Sequence, residues 1–320
     1  MTARKNRFVP HVEVLERRWC PAFTVFQQGG TLILTGNSDV ANGNADDTVQ
    51  IDCDGNGTMI VSSAQTMINQ PSGTFAHTLT KSGVNRVVVR GNLGDDFVGF
   101  RLTGALNQPL DLWIDLGHHS DSANLDFTAG IAARLTCTVL GGYGADDVVM
   151  MFGDVSDRVT CRSFLGADDD SLLTVFAGAL SANTFRFDAS GGYGDDILRF
   201  EGIGLNIAAG TTLDLRLYED FGAGNISIDY EGELDGTLRL LANGGFGNDR
   251  IDGTVTTIAG STGKLFAALH GWTGDDEMTL NVVNLSGSTA FISALLDGGS
   301  GKDGYQVTAN VVKRNAEIPL

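Results

Sequence analysis

A chain of 320 residues is long enough to bury a sizeable core, and 43 glycines against five prolines suit a turn-dense β protein. The formal net charge of −18, from 39 acidic residues against 21 Lys and Arg, disfavours nucleic acid and anionic membrane as partners and favours cations. No stretch reads as a transmembrane helix, and the four cysteines show no CxxC or His/Cys zinc spacing.

Residues 1–22 read MTARKNRFVPHVEVLERRWCPA. Arg4, Lys5, Arg7, Arg17 and Arg18 set this segment apart from the acidic body, and it lacks the apolar run of a secretory signal. On charge alone it is a solvated basic tail. Arg7-Phe8-Val9-Pro10 followed by Val14-Leu15-Glu16-Arg17-Arg18 resembles the short N-terminal LExR-type segment of large repetitive exported proteins of planctomycete-like bacteria, with Arg17 where the usual form has proline. The resemblance implies export. The expected organisation is therefore a disordered export-type segment over 1–22 and a single domain over 23–320.

Residues 23–85 are expected to form the opening coils of that domain. Thr31–Gly36 alternates, an acidic turn follows at Asp46-Asp47, and a return strand begins at Thr48. This part is the most divergent, and it is where the N-terminal cap of a repeat protein belongs.

From here one motif returns: Gly-Gly-x-Gly-x-Asp-x-apolar. Full copies begin at Gly91, Gly141, Gly191, Gly244, Gly271 and Gly298, with Asn92 and Trp272 each in a second glycine place. Their sixth residues are Asp96, Asp146, Asp196, Asp249, Asp276 and Asp303. Weaker copies put Asp121 and Asp170 midway through two of the long gaps, Asp47 in register upstream, and Gly224 where an aspartate is missing. The period is about 25 residues from Asp47 to Asp303, which predicts roughly eleven units. The unit between Asp47 and Asp96 would carry Ser72-Gly73 and no acid.

The segment before each turn alternates. Phe185, Phe187 and Ala189 are apolar, as are Leu110, Leu112 and Ile114; Leu135, Cys137 and Val139; Leu213, Leu215 and Leu217; Leu238, Leu240 and Ala242; and Ile292, Ala294 and Leu296. Such alternation predicts strands with one buried face, and no segment has a helical period. A 25-residue unit cannot bury its apolar face alone, so stacking must do it. The predicted fold is all-β: a right-handed parallel β-helix, or β-solenoid, with one Gly/Asp-rich edge and a length of roughly 50 Å. Equal spacing without two-residue Asn-Gly hairpin signals argues against a sandwich or propeller. A strand over Gln306–Val312 should close the body. Cys137 and Cys161, in matching Arg-x-Thr-Cys contexts, should stack on adjacent coils, as small core residues or as a disulfide.

Gly-Gly-x-Gly-x-Asp-x-apolar is the nonapeptide of hemolysin-type (RTX) calcium-binding repeats, and residues 43–305 resemble that family discontinuously. The resemblance implies Ca²⁺ between stacked turns, held by the sixth-place aspartates: Asp47, Asp96, Asp121, Asp146, Asp170, Asp196, Asp249, Asp276 and Asp303. Here there is one nonapeptide per coil, so a two-sided calcium array is not expected. Electrostatics gives a separate reason to expect ions. Aspartates in register stand about 5 Å apart and repel by ~0.8 kcal/mol in water, or ~3 kcal/mol at an effective dielectric of 20. The alternative is that they only shape the turn by bonding their own backbone N–H groups.

The residue after the second glycine place is His118, Tyr143, Tyr193, Phe221 and Phe246, which stacks into an aromatic stripe. The stripe either covers the turn edge or binds a sugar chain. His118-His119-Ser120-Asp121 has residue types suited to nucleophilic work, but sequence neighbours seldom form such a constellation. Uniform repeats point to a non-enzymatic extracellular or cell-surface protein, stabilised by calcium, with a structural or adhesive role. Its partners would be calcium and an extracellular polysaccharide or another surface protein. The competing class is a carbohydrate-binding or carbohydrate-cleaving β-helix.

Overall fold

Alternating sequence puts every second side chain inside. In the strand Leu110–His118, Leu110, Leu112, Ile114 and Leu116 are buried while Asp111, Trp113 and Asp115 face outward. The strands Leu135–Tyr143, Val159–Ala167, Thr184–Tyr193 and Thr237–Phe246 repeat the pattern, and each pairs in parallel with its neighbours. The computed structural model describes residues 23–36, 46–63, 68–70, 75–308, 311–314 and 318–319. The expected export-type segment at 1–22, with Cys20, lies outside them.

Two sheets of fourteen and thirteen strands run the length of the body. Each coil passes from a strand of the first sheet through the tight Gly/Asp turn into a strand of the second. It returns through a looser connection, where Leu106, Ile131, Val155 and Leu180 bridge one coil to the next. The fold is an all-β parallel β-solenoid with coils of about 26 residues. The predicted inward residues are buried, apart from Ile292, which is partly buried against the core. Phe100, Phe127, Phe152 and Phe176 form a column along the axis, with successive ring centroids 5.7, 5.2 and 5.8 Å apart. Cys137 and Cys161 are register partners, both buried and both free thiols, so they serve as small core residues.

Three expectations are corrected. The solenoid has about nine turns, not eleven. Thr31–Gly36 pairs directly with Arg86–Arg90, and Thr48–Cys53 directly with Phe97–Leu102, so no coil lies between them. The intervening chain instead folds back as antiparallel strands: Met59–Ser62 on Thr48–Cys53, then Thr78–Lys81 on Met59–Ser62. The second correction removes one of the expected units. A hairpin signal does exist, in Asp54-Gly55-Asn56-Gly57, where the Asp54 carboxylate accepts from the Asn56 and Thr58 N–H groups at 2.8 and 2.9 Å and both glycines have positive φ. These antiparallel strands lie at one end of the thirteen-stranded sheet, where a solenoid needs a cap. Third, the single closing strand is two strands. Gly304–Val307 joins the thirteen-stranded sheet and Val311–Arg314 the fourteen-stranded one.

Coil-on-coil packing is tightest at the glycine in the fourth place of the motif. A Cβ on Gly247 would run into the carbonyl oxygen of Gly222 on the preceding coil, and φ there is +148°. Gly210 also has positive φ, at +80°, but open space around it. Gly247→Ala should therefore lower stability by at least ~2 kcal/mol, against ~1 kcal/mol for Gly210→Ala. Denaturant midpoints of the two variants check this.

Candidate functional site: the Gly/Asp edge

The six places of Gly-Gly-x-Gly-x-Asp have distinct duties. Places two and four take positive φ, except at Asp220, the place-two residue of one coil. Among the described residues the four non-glycines with positive φ all fall there: Asn92 and Trp272 at place two, His119 and Asp168 at place four. At those four positions the turn shape is held without glycine.

The sixth place is the centre of the edge. All nine predicted aspartates line one edge in register, as expected, but they point into the core and are only 0–3% exposed. Their bonds run between coils. The backbone N–H of Asp47 donates to Asp96 Oδ1 at 2.7 Å, that of Asp96 to Asp121 at 2.6 Å, that of Asp121 to Asp146 at 2.9 Å, and that of Asp146 to Asp170 at 2.7 Å. The line continues from Asp170 to Asp196 at 2.8 Å, from Gly224 to Asp249 at 2.9 Å, from Asp249 to Asp276 at 2.9 Å and from Asp276 to Asp303 at 3.1 Å. The turn-forming alternative is therefore right in kind but not in partner: the carboxylate holds the preceding coil's N–H, not its own.

The other oxygen explains the first glycine. Asp96 Oδ2 lies 2.5 Å from where a Cβ on Gly91 would be, and Asp249 Oδ2 stands in the same relation to Gly244. At the glycine-led turns a side chain at place one would meet this oxygen, whereas the turns of Asp121 and Asp170 carry Leu116 and Leu165 there and keep the carboxylate buried. Among the described residues, Oδ2 of Asp96, Asp121, Asp146, Asp170, Asp249, Asp276 and Asp303 is buried with no hydrogen-bond partner. Burial, opposed by the one backbone bond, pushes the carboxyls up: Asp146 and Asp276 to about 6, Asp249 to about 7, and Asp96, Asp121 and Asp170 to about 8. Neighbouring carboxylates add a smaller push in the same direction.

One coil exchanges the two places. Where Gly224 removes the sixth-place acid, Glu219 occupies place one, level with Gly191 and Gly244. Glu219 is 1% exposed, and its side chain fills the space a Cβ on Gly224 would need. Its carboxyl shares the space over Gly191 with Asp196 Oδ2. Burial and then the Asp196 charge raise Glu219 to about 9. Sequence reasoning marked this coil as lacking its ligand. The signal was present five residues upstream, in the one acid at place one.

The fifth place makes a second, exposed ladder that runs the other way. The Asp95 N–H donates to Asp46 Oδ1, Ser120 to Asp95, Asp195 to Asp169, Ala223 to Asp195, and Lys302 to Asp275. Adjacent acids in the sequence are therefore not equivalent: one is sealed in the core and the other faces solvent.

The aromatic row stacks as predicted. His118 lies on Tyr143 at 5.0 Å, Tyr193 on Phe221 at 4.7 Å and Phe221 on Phe246 at 5.1 Å, all within 7° of parallel. Rings inside these stacks face each other and turn their edges outward, so they cover the turn rather than offer a flat platform. The four residues His118 to Asp121 point to different tasks. His118 is in the ring stack, His119 Nδ1 accepts from the Gly94 N–H at 3.1 Å, the Ser120 N–H donates to Asp95, and Asp121 is buried. They do not converge on a reacting centre. No family model matches the chain, and neither does any curated protein or solved structure.

The folded state binds more protons than the unfolded chain, because the buried carboxyls titrate above their unfolded value of 3.8. Their favourable contribution is complete below about pH 4 and is lost as pH rises through about 6 to 8. The melting temperature should fall over that range, and Asp121→Asn, which cannot ionise, should flatten the slope. A second measurement targets the exchanged coil. Glu219→Gly and Gly224→Asp should each destabilise by about 1–3 kcal/mol, while the double variant, which rebuilds the standard motif, recovers most of the loss.

Proposed function

We propose that the protein is a non-enzymatic repeat protein with a structural or adhesive role at the cell surface or outside the cell. The observation that supports this reading is the destination of its buried acids. Each sixth-place carboxylate holds a backbone N–H of the adjoining coil, so the chemistry of the edge is devoted to keeping coils in register. The result is a rod with long outer sheet faces, suited to spanning distance and to meeting partners along its length. The N-terminal LExR-type resemblance supports export. Partners in this reading are a surface protein or an extracellular polysaccharide.

Calcium is the ion that the repeat resemblance implies, and the column offers it free Oδ2 atoms. Yet each coil supplies a single inward carboxylate, whereas Ca²⁺ takes six to eight oxygens. Among the described residues, no group of three or more His, Cys, Asp or Glu is arranged to hold a metal. The reading therefore takes protons as the neutralising partner of the column and keeps calcium as the competing one.

Melting curves at about pH 8, with millimolar Ca²⁺ and with a chelator, distinguish the two. Proton neutralisation predicts the same melting temperature in both. A melting temperature that climbs with Ca²⁺ concentration would return the ion to the edge and overturn this part of the proposal.

A further inference from the structure

The aromatic row lacks one rung. In register it runs His118, Tyr143, Ala167, Tyr193, Phe221, Phe246. Tyr143 is held within 3° of parallel to His118, and Tyr193 within 7° of parallel to Phe221. Both rings therefore stand across the axis, and each turns its unstacked face toward the other over the Ala167 methyl. Two coil spacings separate them, about 9.6 Å. That leaves room for one planar group at the pitch of the row itself. Tyr143 and Tyr193 are each 62% exposed, more than Phe221, Phe246 or Trp272, which have neighbours in the row.

The slot has a charged border. Asp168 and Asp169 follow Ala167 directly and are exposed, and Asp168 Oδ2 accepts from the Gly144 N–H beside Tyr143. Asp195, also exposed, follows Tyr193 by two residues. Alongside lies a shallow hollow of about 530 Å³, whose walls include Asp95, His119, Ser120, Asp168 and Asp169 and carry no lysine or arginine.

We propose that the Tyr143–Tyr193 slot takes the guanidinium of an arginine side chain presented by a partner polypeptide. A cation is attracted to an aromatic face when it lies within about 6 Å of the ring centroid, and a group midway across this slot would be about 4.8 Å from both. Guanidinium is planar, weakly hydrated and able to bond carboxylates while stacked, which an ammonium group is not. A neutral sugar ring would draw nothing from the acidic border. The inference names the partner chemistry for the scaffold reading and rests on it. That reading is argued from the inter-coil bonds of the buried acids and not from the slot, so a failed slot would leave it standing.

The test uses the full chain and two peptide probes of equal charge, tetra-arginine and tetra-lysine, with affinities measured at physiological salt. Tetra-arginine should bind roughly tenfold tighter than tetra-lysine, about 1.4 kcal/mol at the slot. Ala167→Tyr, which supplies the missing rung, should abolish that preference, as should Tyr143→Leu. Phe246→Leu, in the closed part of the row, should leave it intact. Melting curves establish that each variant is folded, and the two slot variants guard against failure of either one. Equal affinity for both peptides, an arginine preference that survives Ala167→Tyr, or binding of a neutral oligosaccharide in place of either peptide would overturn the proposal.

Discussion

The interaction on which the molecule depends is a hydrogen bond from the turn N–H of one coil to a buried carboxylate on the next. Sheet hydrogen bonds already tie the coils along two sides, but they end where the strands end. At the tight turn the backbone must reverse within a few residues, and its N–H groups would be left without partners inside the protein. The aspartate meets that need, and at the glycine-led turns its second oxygen occupies the space that a side chain at place one would take. Glycine and aspartate in this motif are therefore two halves of one device.

The exchange at Glu219 and Gly224 shows which half is essential. The coil needs a carboxyl in the space between places one and six, and either place can supply it. The longer glutamate reaches the same volume from the opposite side of the turn. Two acids then meet at Asp196, and burial with mutual repulsion raises Glu219 further than any other buried carboxyl given a value here.

Much of the fold was legible in the sequence, because a solenoid repeats each of its signals. The alternation before each turn placed the inward residues from Leu110 to Leu296, and the stacked aromatics followed from their shared place. What stayed hidden has physical reasons. The segment from Asp54 to Lys81 breaks the period, and its Asn56-Gly57 hairpin was masked by the expectation of one more coil. At the edge, the identity and register of the aspartates were clear, but their direction was not. Period and spacing say which residues stack, whereas whether a carboxylate turns inward depends on whether a neighbouring coil offers it an N–H.

All the sixth-place bonds point the same way, from one coil toward the chain's later coils. A rung built this way is closed by its successor and closes its predecessor in turn. Copying one whole unit into the middle of the stack therefore adds a donor together with its acceptor and leaves no orphan at either junction. Insertion of a fraction of a unit cannot do so. Tandem duplication is thus a step-neutral route to longer or shorter rods, and the variation in length of such chains should come in whole rungs.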